Sequence, residues 1–305
     1  MAAKVLVCDS ISEDGIKYMK DNGLDVTVKT GMTPDELIAN IKEYNAIIVR
    51  SATKATADVI AAADNLKLIV RGGVGVDNID VKAAEKKKVQ VRNTPGASTV
   101  SVAEHTMALL LSLVRQIPAT DKSMKEGKWE KKKFEGTELF GKTLGLIGSG
   151  RIGTAVAKRC QAFEMKVMAY DPYADDKTLL AGNIKPVKDL DELLRQADIV
   201  SLHIPKTEET KNILNKERIS KMKDGSIIVN AARGGVVDEE ALAEALKSGK
   251  LYGAALDVFS TEPLQNSPLT GLSNVVLAPH IGAATKEAQK RIGLEAAKTI
   301  VEFFK

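Results

Sequence analysis

Short apolar runs alternate with amphipathic stretches along almost the whole chain. In the first third the runs fall at residues 5–7, 26–28, 46–49, 68–70 and 89–91, with helical spacing between them. Apolar runs of this length, bounded by helical segments, read as strands buried inside a sheet. Thr33-Pro34-Asp35-Glu36 opens one of the intervening helices, which continues to about Ile41. It supplies a threonine cap, a proline where no N–H is needed and a glutamate placed to close a capping box. A second series runs through Leu144 and then 166–170, 199–202, 227–229, 254–256 and 275–277. Strands alternating with helices predict parallel, doubly wound sheets. Between the two series, 98–115 reads as one long helix, too long for a simple crossover and suited to bridging two domains. The last helix, about 285–304, has no strand after it, so it is free to return to the first domain.

The second series opens on a glycine pattern. Thr143-Leu144-Gly145-Leu146-Ile147 is a buried-strand run, and Gly148-Ser149-Gly150-Arg151-Ile152-Gly153 follows at once. Helical spacing then continues from Ile152 to Phe163, and the next strand ends on Asp171. Three glycines alone say little, but strand, glycine turn, helix, strand and terminal acid together form a dinucleotide-binding unit. Gly148 permits the tight turn, Gly150 lets backbone approach a pyrophosphate, and Gly153 lets helix and strand pack closely. The helix N-terminus offers unpaired N–H groups and partial positive charge to the phosphates. Asp171 suits the two hydroxyls of a ribose and repels a 2′-phosphate. Pro172-Tyr173 places no Arg or Lys beside it, so the pattern predicts NAD rather than NADP.

At 305 residues the chain is long enough for two domains, and 44% hydrophobic residues can fill two cores. A net charge of +4, from 44 basic and 40 acidic residues, is nearly balanced and argues against a nucleic-acid binder. Cys8 and Cys160 are the only cysteines, and no metal-ligand spacing is present, so no metal is expected. This fits a reducing, cytoplasmic compartment. The N-terminus passes straight into a strand without a signal-peptide layout, and the apolar helix around 107–114 is too short for a bilayer. Glu85-Lys86-Lys87-Lys88 reads as a solvated face. Lys122, Lys125, Lys128 and Lys131-Lys132-Lys133 flank the single tryptophan, Trp129. They read either as an exposed linker or as a basic arm for an anionic ligand or a partner subunit.

Ligands of parallel sheets bind beyond the carboxyl ends of the strands. The polar residues there are Arg50-Ser51, Arg71 to Asn78, His203, Asn230 to Gly235, Asp257 to Pro263, and Pro279-His280-Ile281-Gly282. Oxidising an alcohol needs a base for its proton, a group to tune that base and a cation for the neighbouring carboxylate. Of the three histidines, His105 lies in a mostly apolar helix and reads as structural, while His203 and His280 both sit at strand tips. His280 is favoured as the base because Gly282 marks close backbone approach beside it. Glu262 is a candidate orienting acid, since a carboxylate raises the pKa of an adjacent imidazole; the alternative is an ordinary loop acid. Arg233, before Gly234-Gly235, is placed for a bidentate carboxylate contact. The glycine-rich turn at 72–75 can aim several N–H groups at a carboxylate.

The chain resembles the D-isomer-specific 2-hydroxyacid dehydrogenases over essentially its full length. The likeness is carried by Ile48 to Lys54, Gly75-Val76-Asp77-Asn78-Ile79-Asp80, Lys128-Trp129-Glu130 to Phe134 and Gly148 to Gly153. It continues through Asn230 to Asp238, Ala255-Leu256-Asp257-Val258-Phe259, Glu262-Pro263 and Pro279-His280-Ile281-Gly282. The resemblance implies a Rossmann-type NAD domain, 98–283, inserted into a discontinuous flavodoxin-like substrate domain, 1–97 and 284–305. It assigns Arg233, Glu262 and His280 to catalysis. It implies a cofactor surface of Val74, Gly148, Gly150, Arg151, Ile152, Gly153, Asp171, His203, Ile204, Pro205, Ala231, Asp257, His280 and Gly282. The implied substrate contacts are Arg50, Ser51, Arg71, Gly73, Val74, Gly75, Val76, Asn78, Lys131, Arg233 and His280. In some relatives the arm equivalent to Lys131 comes from the partner subunit; Arg is common there, and Lys makes a weaker case for a bidentate phosphate clamp.

The implied activity is reversible, NAD-dependent oxidation of 3-phospho-D-glycerate to 3-phosphooxypyruvate, the entry step to serine. His280 would take the C2 hydroxyl proton, Glu262 would steady the imidazolium, and Arg233 with the 73–76 amides would hold the carboxylate. Arg50, Arg71 and Lys131 would neutralise the phosphate as two domains close over the cleft. The alternatives are a glyoxylate- or hydroxypyruvate-type reductase and, less favoured, a nicotinamide-sensing, corepressor-like scaffold. The resemblance also implies a homodimer formed through the cofactor domain, with no nucleic acid and no membrane as partner. Longer relatives carry a regulatory serine-binding domain. The sequence here stops at Lys305, so that inhibition is expected to be absent.

Overall fold

The computed structural model describes residues 2–305, which fold into two compact units. The first comprises residues up to Thr99 together with Ala283–Lys305; the second is Val100–Gly282.

The first unit is built on five parallel strands, β1 (Lys4–Val7), β2 (Asp25–Val28), β3 (Ala46–Val49), β4 (Leu68–Arg71) and β5 (Gln90–Asn93), in the order β2-β1-β3-β4-β5. This is the flavodoxin-like doubly wound order. The period of two in a strand divides its apolar residues between the faces. Leu6, Ile47, Val49 and Ile69 pack to one side with Leu37, Val59, Ile60 and Ala84 from three short helices. Val5, Val7, Ile48 and Val70 pack to the other with Met19, Ala296, Ala297, Ile300 and Val301. The last four residues lie on the C-terminal helix, Lys286–Phe304, which therefore supplies one wall of this core. It meets the helix Glu13–Asp21 at a glycine pair, where a Cβ on Gly15 would lie 2.5 Å from the Gly293 carbonyl oxygen. β5 starts one residue later than the apolar run suggests, because Val89 is a core residue at the strand's entrance. Lys87 is more than a solvated charge: its ammonium donates to the carbonyls of Ile60, Ala61 and Ala63, closing the end of the helix Ala57–Ala62.

The second unit holds seven parallel strands: β6 (Thr143–Ile147), β7 (Lys166–Tyr170), β8 (Lys185–Pro186), β9 (Ile199–Leu202), β10 (Ser226–Asn230), β11 (Leu251–Leu256) and β12 (Val275–Leu277). Their order is β12-β11-β10-β9-β6-β7-β8. The chain enters at β6, moves outward to β8, then returns to β9 on the other side of β6. That reversal beside β6 is the topological switch point of a Rossmann-type sheet. The long helix spans Thr99–Val114, slightly shorter than its apolar pattern. Gln116 adopts a left-handed conformation (φ 52°), and a separate helix, Ile117–Lys125, begins beyond it. Lys122 and Lys125 thus lie on a helix and not in a linker, while Lys131–Lys133 forms a short 3₁₀ turn. β8, only two residues long, has no signal in the hydrophobic pattern.

Candidate active site

The glycine turn occupies the carboxyl end of β6. Gly148 has φ 90°, and a Cβ on it would lie 2.6 Å from the His203 carbonyl oxygen. A Cβ on Gly153 would lie 2.4 Å from the Gly148 carbonyl oxygen, so helix and turn touch through backbone. Gly150 differs, since its Cβ position has nothing within 4 Å. It caps the helix Arg151–Ala162, and the N–H groups of Arg151 and Ile152 in the first turn have no acceptor among the described residues. Asp171, one residue beyond β7, leans back onto the turn. Its Oδ2 accepts from both the N–H and the hydroxyl of Ser149 at 2.8 Å, and Oδ1 accepts from the Tyr173 N–H at 3.0 Å. An acid fixed beside an anion-ready helix start is the donor and acceptor set that a dinucleotide requires.

His203 follows β9, and its N–H donates to the Ile147 carbonyl at 2.8 Å. Its Nε2 lies 2.9 Å from the Ser201 hydroxyl, and Nδ1 is enclosed without a partner. Burial pushes its pKa down to about 4, so the ring is neutral at neutral pH. Ile204 abuts Gly148, and Pro205 accepts from the Thr210 hydroxyl at 2.7 Å.

Three neighbouring loops of the second unit assemble the candidate chemistry. At the end of β10, Asn230 closes a turn by donating to the Arg233 carbonyl at 2.9 Å and accepting from the Ala232 N–H at 3.0 Å. Ala231 is buried within that turn, and the half-buried Arg233 side chain donates to the Ala232 carbonyl at 2.6 Å. Gly234 is held against the next loop: a Cβ on it would sit 1.7 Å from the Phe259 carbonyl oxygen. In that loop Glu262 Oε1 accepts from the Phe259 N–H at 3.0 Å, and Oε2 lies 2.7 Å from His280 Nδ1. Burial raises the carboxyl's pKa, but the bond to His280 and the Phe259 N–H outweigh it, so Glu262 stays below its ordinary value and ionised.

His280 has φ 55°, a left-handed conformation uncommon outside glycine, and its loop is braced from beneath. The buried Asp257, past β11, accepts the N–H groups of Ile281 at 2.9 Å and Gly282 at 2.8 Å. His105 Nε2 stands 3.1 Å from Asp257 Oδ1, at ion-pair distance but without the alignment of a hydrogen bond. Burial favours the neutral acid, yet His105 and the two N–H groups hold Asp257 below the usual carboxylate range. Both oxygens of this acid are therefore committed to shaping the loop that carries His280. Glu262 and His280 line an open cavity of about 560 Å³, with Phe259, Leu264, Leu277 and Pro279 among its apolar walls.

The first unit gathers the expected basic residues. Arg50 donates through its guanidinium to the Ser10 carbonyl at 3.2 Å and to Gln289 Oε1, and burial lowers its pKa. Its backbone N–H is accepted by Asp9, which also takes the Thr53 N–H at 3.2 Å and hydroxyl at 2.9 Å. Arg71 reaches the Ser51 hydroxyl at 3.3 Å and lies over Gly73, where a Cβ would overlap its guanidinium. Gly73 commits its N–H to the Arg71 carbonyl at 2.9 Å. It contributes shape, then, and the open amides belong to Val74, Gly75 and Val76, which no backbone acceptor takes among the described residues. Asn78 donates to the carbonyls of Arg50 and Thr53, both at 2.6 Å, and so acts as a brace with its own oxygen to spare. Lys131, in the second unit, is exposed and makes no ion pair among the described residues, unlike Lys128 and Lys133. Sequence reasoning missed Asp9, Asn93, which donates to the Val74 carbonyl, and Gln289. Asp9 stands two residues past β1 and was open to the same strand-tip rule; Gln289, on a distant helix, carried no local signal. No cluster of three or more potential metal ligands occurs among the described residues.

Residues 107–282 match the NAD binding domain of the D-isomer specific 2-hydroxyacid dehydrogenases. The chain is 54% identical over 303 residues to D-3-phosphoglycerate dehydrogenase of Archaeoglobus fulgidus, covering 99% of this chain and 57% of that one. It is 51% identical over 301 residues to hydroxypyruvate reductase of Thermotoga maritima, covering 97% of both. Among solved structures it superposes on D-lactate dehydrogenase from Aquifex aeolicus, complexed with NAD and lactic acid, with a TM-score of 0.86 and 33% identity. That match covers 99% of this chain and 95% of the other. The chain spans little more than half the length of the D-3-phosphoglycerate dehydrogenases it matches.

Proposed function

From membership of the D-isomer-specific 2-hydroxyacid dehydrogenase family, whose cofactor here is NAD, we propose that this protein oxidises 3-phospho-D-glycerate reversibly at C2 to 3-phosphooxypyruvate. The observation that carries the reading is the 2.7 Å His280–Glu262 pair on an open cavity. NAD, when bound at the glycine turn, supplies the hydride acceptor. His280 Nε2, opposite the nitrogen held by Glu262, takes the hydroxyl proton, and ionised Glu262 stabilises the imidazolium that forms. Arg233 holds the substrate carboxylate with the amides of residues 74–76, and Arg50 and Arg71, aided by Lys131, balance the phosphate. The relatives named D-3-phosphoglycerate dehydrogenase, at 54% and 50% identity, support that substrate and with it the first step of serine synthesis.

Exposed Ile117, Met124, Trp129 and Phe140 support a homodimer through the second unit. Two unpaired buried thiols, Cys8 and Cys160, agree with a reducing cytoplasm. Among the described residues no helix is long and apolar enough to cross a membrane.

A second reading, reduction of hydroxypyruvate, is favoured by the Thermotoga maritima relative that matches over 97% of both chains. The two differ in their need for phosphate charge. A panel of 3-phospho-D-glycerate and D-glycerate with NAD or NADP, read at 340 nm, separates them. The proposal expects turnover with the phosphorylated acid and NAD, and a raised KM for that acid alone in Arg50→Gln and Arg71→Gln. Turnover confined to D-glycerate, unaffected by those changes, overturns it in favour of the second reading.

A further inference from the structure

A second cavity, this one basic, lies at the opposite end of the Rossmann-type sheet from the glycine turn. It measures about 400 Å³ and is lined by Lys166, Lys185, Arg195 and Lys223, with Val167 and Met168 as an apolar wall. The strands run parallel, so their amino ends form one edge. Lys166 opens β7, Lys185 opens β8, Lys223 precedes β10, and Arg195 ends the helix Leu190–Gln196. Thr143, which opens β6, also lines the cavity, whereas the glycine turn follows Ile147 at the other end of β6. Four residue steps of about 3.3 Å put the two ends about 13 Å apart, so this cavity is separate from the dinucleotide site.

No carboxylate lines it. Asp198, which meets two of the lining residues, is already engaged: Oδ1 takes the Lys223 ammonium at 2.8 Å and Oδ2 takes the Thr143 N–H at 2.8 Å. Asp191, whose field reaches Arg195, is paired with Lys221 at 2.6 Å and Arg218 at 3.5 Å. Lys166, Lys185 and Arg195 make no side-chain hydrogen bond or ion pair among the described residues. Like charges gathered around one concavity repel one another, and an anion relieves that repulsion. The cavity is of small-ligand size, too small for a folded partner. Arg195 adds a guanidinium fork suited to phosphate oxygens.

We infer that this cavity binds a small, multiply charged phosphate compound at a site independent of catalysis. The test titrates the full chain, saturated with NADH, with inorganic tripolyphosphate by calorimetry. One equivalent is expected to bind the wild type, more weakly as salt rises. Lys166→Gln/Lys185→Gln/Arg195→Gln is expected to lose about tenfold or more of that affinity, with NADH affinity unchanged. Arg50→Gln/Arg71→Gln, which removes the arginine pair proposed for the substrate phosphate, is expected to bind tripolyphosphate as the wild type does. The inference is overturned if the wild type binds none, if the triple variant binds equally well, or if only the Arg50/Arg71 variant loses binding. Binding of single-stranded RNA without binding of tripolyphosphate overturns it as well.

Discussion

His203 and His280 each follow an apolar strand of the same parallel sheet, and by position alone they are equivalent. Their surroundings separate them. His203 has a hydroxyl beside Nε2 and a buried Nδ1 without a hydrogen-bond partner, and burial keeps the ring neutral down to about pH 4. His280 is half-exposed, touches an ionised carboxylate at 2.7 Å and lines a cavity. A ring without a counter-charge has nothing to stabilise the proton it accepts, whereas a ring beside a carboxylate does. Strand-tip placement thus nominates a base, and the partner on the ring's far nitrogen selects it.

The contrast can be broken most forcefully at His280. His280→Ala is expected to reduce turnover by on the order of 10²–10⁴, the usual worth of a positioned acid–base. Steady-state rates beside an NADH fluorescence titration check this. Glu262→Gln removes the charge and leaves one acceptor oxygen for the His280 ring and the Phe259 N–H to share, so a smaller loss than in His280→Ala is expected, about 10- to 100-fold and mostly in kcat. Asp257→Asn replaces an acceptor of two N–H groups at the base of the same loop. It should cost about 1–3 kcal/mol in denaturant unfolding and lower turnover indirectly.

His203→Gln should change turnover least, by a few-fold, and its mark should be on stability. The unfolded ring protonates near 6.5 and the folded one at about 4. Between those values the unfolded state binds more protons, so stability falls as pH drops from 6.5 toward 4, by up to about 3 kcal/mol. His203→Gln should flatten that decline in urea titrations at pH 7 and pH 5. The Glu262 carboxyl contributes lower down: its depressed pKa stabilises above about 4.5 and is lost as pH falls through the folded value. An unaltered decline in His203→Gln would show that the ring is not the titrating group.

Much of this was legible in the residues. Apolar runs such as 46–49 and 227–229 became central strands because both faces of a parallel sheet are covered. Gly148, Gly153 and Asp171 carried their geometry in their spacing, since turn, helix start and strand tip are local. The two-residue β8 was invisible because it buries too little to leave a pattern. The roles of Asp9, Asn78 and Gln289 also lay hidden, because each is defined by a hydrogen bond to a residue far along the chain. Asp257 shows the same limit. Its place past a strand marked it as a candidate polar residue, but its bonds to the Ile281 and Gly282 N–H groups, more than twenty residues on, carried no local signal.

Turnover of His280→Ala and His203→Gln, measured side by side with saturating NAD and 3-phospho-D-glycerate, decides which ring is the base. A loss of at least about 100-fold is expected in the first, with NADH affinity preserved, and only a few-fold change in turnover in the second. Near-normal turnover in His280→Ala, or the larger loss in His203→Gln, would contradict the assignment of His280.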